Sequence, residues 1–225
     1  MVNTMKSIDL THLISETMPV YPGTEPPCMD TGTTLEKDGF LEKKITFYSH
    51  TGTHIDAPAH LIRGGKTLDE FDIGHFCGSA MVLNFSGTNI KEITAGDLEP
   101  HREQISRAEF VLIRTGWSRF WGEDDYFQDY PVLSGDGARW LCSFGLKGLG
   151  LDTISADRAD TVDFEIHKRF LSRDIIIIEN LANLDRLAPN SSFLFSCFPL
   201  KFKGADGSPV RAVAFPEKRK GISGG

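Results

Sequence analysis

Apolar and polar positions alternate unevenly along this chain, and the spacing sorts it into two kinds of element. Four short runs rich in β-branched or apolar residues, at 81–84, 110–114, 149–153 and 175–178, read as strands. The last holds four consecutive isoleucines, has no polar face, and fits a strand covered on both sides. Between these runs the period lengthens. Val162, Ile166 and Phe170 recur every four residues and predict a helix over 162–171, and a second helical pattern covers 138–144. Strands and helices interleave, which predicts an α/β fold, while the closely spaced strands of the first 90 residues call for a mixed sheet with flanking helices. The segment 18–27 carries four prolines and is expected to run extended along the surface, where it can line a pocket.

The stretch 41–56, LEKKITFYSHTGTHID, alternates for much of its length and reads as a strand, with β-branched residues at Ile45, Thr46, Thr51, Thr53 and Ile55. In a strand, His50, Gly52, His54 and Asp56 would share one face, so two imidazoles and a carboxylate converge across a glycine that leaves space for an ion and its water. A helix would also bring His50 and His54 together, at i and i+4, but Gly52 and the β-branched residues oppose it. Pro58 lacks an amide donor and ends the pairing, placing His60 just past the cluster. Imidazole nitrogen and carboxylate oxygen suit zinc or manganese, and a site with open positions can activate water. Three of the seven histidines fall within the eleven residues HTGTHIDAPAH, with an aspartate at matching parity, and this favours a metal centre over scattered structural histidines. His12, His75 and His101 have no such company and read as structural. A second cluster lies further on. Glu179 emerges from the isoleucine strand, where a carboxylate must be solvated, paired or metal-bound, and His167 sits on the predicted helix.

Composition narrows the partners. With 225 residues, 40% hydrophobic and 24% charged, the chain is expected to form one domain over 1–216, followed by a flexible tail at 217–225. A net charge of −7, offset by no basic block longer than KRK at 218–220, disfavours nucleic acid. No run reaches membrane-spanning length, and the N-terminus does not read as a secretory signal. The four cysteines are scattered without a CxxC pair and read as small buried residues in a reducing cytoplasm.

The segment HTGTHIDAPAH resembles the HxGTHxDxPxH signature of the cyclase family that includes bacterial kynurenine formamidases and isatin hydrolases. The resemblance extends over IDLTH at 8–12, MPVYPG at 18–23, LIRTGW at 112–117, GLDTISAD at 150–157, IHKRFL and IIEN between 166 and 180, and GADGSPVRAVA at 204–214. It implies a swivelling β/β/α-type fold and a homodimer or homotetramer. It further implies that His50, His54 and Asp56 bind one metal ion, that Asp56 bridges to a second held by His167 and Glu179, and that His60 is the acid/base. The expected activity is hydrolysis of a small amide, arylformamidase-like, with one or two Zn2+ ions, or Mn2+ instead. Tyr21 above all, with Phe40, Phe47 or Trp117, is a candidate for stacking an aryl substrate. Opening of a cyclic amide or lactone stays open beside this, as do two rivals of another class, a non-haem iron oxygenase and a structural metal protein.

Overall fold

A computed structural model describes residues 6–216, so the expected tail at 217–225 lies outside the described residues. Among the described residues are thirteen strands: β1 (Ile8–Asp9), β2 (Cys28–Thr33), β3 (Glu42–Thr46), β4 (His54–Asp56), β5 (Cys77–Asn84), β6 (Glu92–Ile93), β7 (Phe110–Arg114), β8 (Val132–Leu133), β9 (Gly148–Leu151), β10 (Ile176–Glu179), β11 (Ser192–Ser196), β12 (Gly207–Pro209) and β13 (Val213–Pro216). Five short helices accompany them: α1 (Leu35–Asp38), α2 (Ala95–Leu98), α3 (Arg102–Ile105), α4 (Gly135–Leu141) and α5 (Glu165–Leu171).

Nine strands form one sheet in the order β1-β13-β11-β5-β7-β9-β10-β4-β12. Its centre, β5-β7-β9-β10, is parallel, while β11 and β4 join the two sides antiparallel. The mixed α/β sheet expected from the sequence is therefore the fold. Each face carries its own core. Ile55, Phe110, Ile178 and Phe195 pack on one side, and Val111, Ile177 and Phe170 of α5 on the other. The isoleucine run has no polar face because β10 alternates between these two cores. Among the described residues no helix is long and apolar enough to cross a membrane.

Several expectations need correction. The stretch 41–56 is not one strand. Residues Glu42–Thr46 pair with β2 in a separate hairpin whose β3 side chains are all exposed, and the chain turns before entering the main sheet as β4. Gly52 makes that turn at φ +64°, a left-handed conformation that an L side chain resists by about 1–2 kcal/mol. A Cβ there would touch Ile14 and Met18, so the glycine serves the bend and does not open space for an ion. The helix expected over 162–171 begins only at Glu165. Val162 is 85% exposed, and Phe164 takes φ +49° immediately before the helix, so the four-residue period ran into a loop by coincidence. The helix expected at 138–144 spans Gly135–Leu141, started by Ser134, whose Oγ accepts from the Gly137 amide at 3.1 Å. Of the cysteines, all free, Cys197 is buried as expected but Cys28 is exposed.

Candidate metal centre

Strand β4 is the spine of the site. It lies between β10 and β12, with His54 opposite Glu179 and Pro209, and Asp56 opposite Ile177 and Gly207. Alternation puts Ile55 into the core at 0% exposure and turns His54 and Asp56 together to the other face, at 4% and 1%. The parity expected for these two residues holds. His50 arrives by the Gly52 turn rather than by strand alternation, yet its Nδ1 lies 2.6 Å from Asp56 Oδ1. Its ring lies over Gly207, where an added Cβ would come within 2.5 Å of Cε1, so only glycine leaves the ring its place.

The second cluster meets the first. His54 Nε2 stands 3.3 Å from Asp56 Oδ1 and 3.6 Å from Glu179 Oε2. His167 Nε2 stands 3.1 Å from Glu179 Oε1 and 3.4 Å from Asp56 Oδ2. Pro58 opens a one-turn 3-10 helix, Pro58–His60, that brings the His60 ring to 4.0 Å from that of His50. His50, His54, Asp56, His60, His167 and Glu179, together with Tyr21, line one cavity of about 490 Å³. Phe40, Phe47 and Trp117 are not part of its wall; Tyr48, Ile154 and Phe164 are.

The imidazoles are oriented from behind. His54 Nδ1 donates to the Gly52 carbonyl at 2.8 Å, and His167 Nδ1 lies 2.6 Å from Asp157 Oδ2, so each turns Nε2 toward the carboxylates. Asp157 also accepts the Ile166 and His167 amides, which fixes the start of α5. His50 Nε2 stands 3.2 Å from Asp206 Oδ2. Sequence reasoning gave no role to Asp157 or Asp206. Both lie in blocks that carry the resemblance, but no local spacing relates them to histidines 10 and 156 positions away.

Electrostatics follow the geometry. Burial pulls the His50 pKa down, but the Asp56 carboxylate, assisted by Asp206, outweighs it and holds the value up at about 9. Burial likewise opposes the charge on His167, yet Asp157, Asp56 and Glu179 keep its pKa well above the usual range. His60 goes the other way. Burial lowers its pKa, and the neighbouring His50 and His167 add to that, against the pull of Asp56.

The donor set suits a divalent cation. Buried Asp56 Oδ2 has no hydrogen-bond partner among the described residues, although an uncompensated buried oxygen is costly. Two groups of donors, His50–Asp56–His60 and His54–Asp56–Glu179, each lie within 4.8 Å of one another and share Asp56. His60 thus falls among the candidate donors beside His50.

Residues 8–158 match the family model described as "Putative cyclase". The chain belongs to this cyclase family. A kynurenine formamidase of Bacillus cereus is 32% identical over 217 residues, covering 96% of this chain and 100% of that protein. Among solved structures, a potential metal-dependent hydrolase with cyclase activity is 30% identical with a TM-score of 0.80, over 96% of this chain and 100% of the other. Isatin hydrolase A from Ralstonia solanacearum is 26% identical with a TM-score of 0.82, over 95% and 92%. The hydrolase relatives and the donor groups that share Asp56 support a metal-dependent hydrolase.

Proposed function

We propose that the chain hydrolyses a small amide of the arylformamidase type, as its kynurenine formamidase relatives are named for doing. The observation that carries this reading is the convergence of His50, His54, Asp56, His167 and Glu179 on one open cavity, with Asp56 between the two donor groups. His50, His54 and Asp56 would hold one ion, and Asp56, His167 and Glu179 a second. Zinc is the proposed metal and manganese the alternative, since the donors are nitrogen and oxygen without sulfur. When bound, such an ion supplies a Lewis acid and a water acidified to a pKa of about 7.

The chain's own residues supply the rest. His60, whose pKa is lowered by desolvation, accepts a proton from water and returns it to the departing nitrogen. Formate and an amine are the products. Tyr21, Ile154 and Phe164 offer the apolar wall for an aryl group. The isatin hydrolase neighbour supports a second reading, opening of a cyclic amide, which uses the same residues. Formanilide, N-formylkynurenine, isatin and simple lactones assayed on zinc- and manganese-reconstituted protein separate the two. Turnover of the formyl amides alone supports the first reading, ring opening alone replaces it with the second, and oxygen consumption with iron removes both.

Proton linkage offers an independent check. Without metal, His50 has a folded pKa of about 9, above its unfolded value of about 6.5. The stability from this pair is therefore fully present below pH ~6.5 and lost as pH rises through about 9. Metal ligands must be deprotonated, so affinity changes in the opposite sense over the same interval. The expected result is that chelator-stripped protein loses thermal stability between these pH values while the stabilisation conferred by zinc grows. Calorimetry at pH 7 in buffers of differing ionisation enthalpy should show protons released on zinc binding. Binding without proton release would contradict the assignment of His50 and His167 as ligands.

A further inference from the structure

We propose that Asn180 and Tyr126 are positioning residues that lock the His54 imidazole from behind, through the Gly52 carbonyl. The claim rests on the reading of His54 as a metal ligand, and it assigns work to two buried residues that the hydrolytic chemistry does not otherwise use. Asn180 is 2% exposed and Tyr126 0%.

The contacts form a chain of fixed polarity. Asn180 Nδ2 donates to the Gly52 carbonyl at 2.9 Å, and the same oxygen accepts from His54 Nδ1 at 2.8 Å. A carbonyl can only accept. The amide nitrogen of Asn180 must therefore face Gly52, which leaves Oδ1 toward Tyr126, and the phenol donates to it at 2.7 Å. His54 must likewise carry its hydrogen on Nδ1, which frees the Nε2 lone pair to face Asp56 and Glu179. Backbone contacts hold the bracket in register. Thr53 Oγ1 donates to the Asn180 carbonyl at 2.6 Å, and the Asn180 amide donates to the Thr153 carbonyl at 3.0 Å. Asn180 takes φ +57° directly after Glu179, so β10 delivers a carboxylate to the cavity and, one residue later, bends to grip the turn that carries His54. The Gly52 turn, left-handed and without a side chain of its own, has the freedom to rotate its carbonyl away. The asparagine removes that freedom.

Two nearly isosteric substitutions test this. Asn180→Asp keeps the acceptor for Tyr126 but places an oxygen against the Gly52 carbonyl; Tyr126→Phe keeps the ring and lets the amide turn over. Zinc affinity by chelator competition is expected to fall about 10–100-fold for Asn180→Asp and less for Tyr126→Phe. The double variant should be no weaker than Asn180→Asp alone, because the two act as one unit. Imidazole 15N spectra of metal-free protein, recorded above neutral pH, should show His54 held with its hydrogen on Nδ1 in the parent and mixed in both variants. A general loss of stability would not move that signature. Parental zinc affinity in Tyr126→Phe together with an unchanged His54 tautomer would overturn the proposal, even if Asn180→Asp fails to fold. Should the parent itself take up no zinc, the metal-centre reading fails, while the tautomer comparison still decides the role of Asn180 and Tyr126.

Discussion

Replacing Asp56 with alanine is expected to strip the protein of metal and reduce turnover to background. Both carboxylate oxygens face imidazoles, Oδ1 those of His50 and His54 and Oδ2 that of His167 at 3.4 Å, and Oδ2 makes no hydrogen bond among the described residues. Both candidate donor groups include this residue, so its loss empties two sites at once. The metal-free fold should suffer as well, since removing one partner of a buried charge pair costs about 3–5 kcal/mol. Asp56→Asn controls for volume. It keeps the shape but not the charge, and should retain more thermal stability than alanine while still binding little metal. Metal content by mass spectrometry, read beside the melting temperature, checks both statements. Full metal occupancy in a folded Asp56→Ala protein would remove the basis of the proposed function.

His60→Asn should behave in the opposite manner, keeping metal and losing turnover. General acid–base assistance contributes about 10²–10⁴ in rate, and a fall of that size in kcat is the expected result. Its position makes the experiment decisive. The His60 side chain is 32% exposed, on a one-turn helix at the edge of the cavity, while His54 and Asp56 are nearly inaccessible on β4, flanked by β10 and β12. Yet it also groups with His50 and Asp56 as a possible donor. Loss of metal in His60→Asn would make it a ligand, and parental turnover would leave it without a role in the reaction.

What the sequence revealed and what it hid divide along physical lines. The central strands were legible because burial on both faces produces continuous apolar runs, as at Ile176–Glu179. His54 and Asp56 were legible because strand parity holds over three residues. The position of His50 was reached by the wrong route. Alternation in 41–56 spans two different sheets, and the period-two signal cannot report that the chain bends at Gly52 between them. The start of α5 was misplaced because Val162 keeps the helical period without being packed against anything. Asp157, Asp206 and Asn180 were out of reach for another reason. Their partners lie far away in sequence, and a hydrogen bond across such a gap leaves no periodic trace.

The placement of β4 between β10 and β12 has a consequence for biogenesis. The histidines of the signature leave the ribosome more than 100 residues ahead of the strands that flank them, β10 and β12, the latter with Gly207 opposite Asp56. Until those strands emerge, the nascent chain carries these side chains on an unpaired segment. On the proposed metal-centre reading, ion capture waits for β12, and a chain ended short of Gly207 would leave His50 without the floor on which its ring rests.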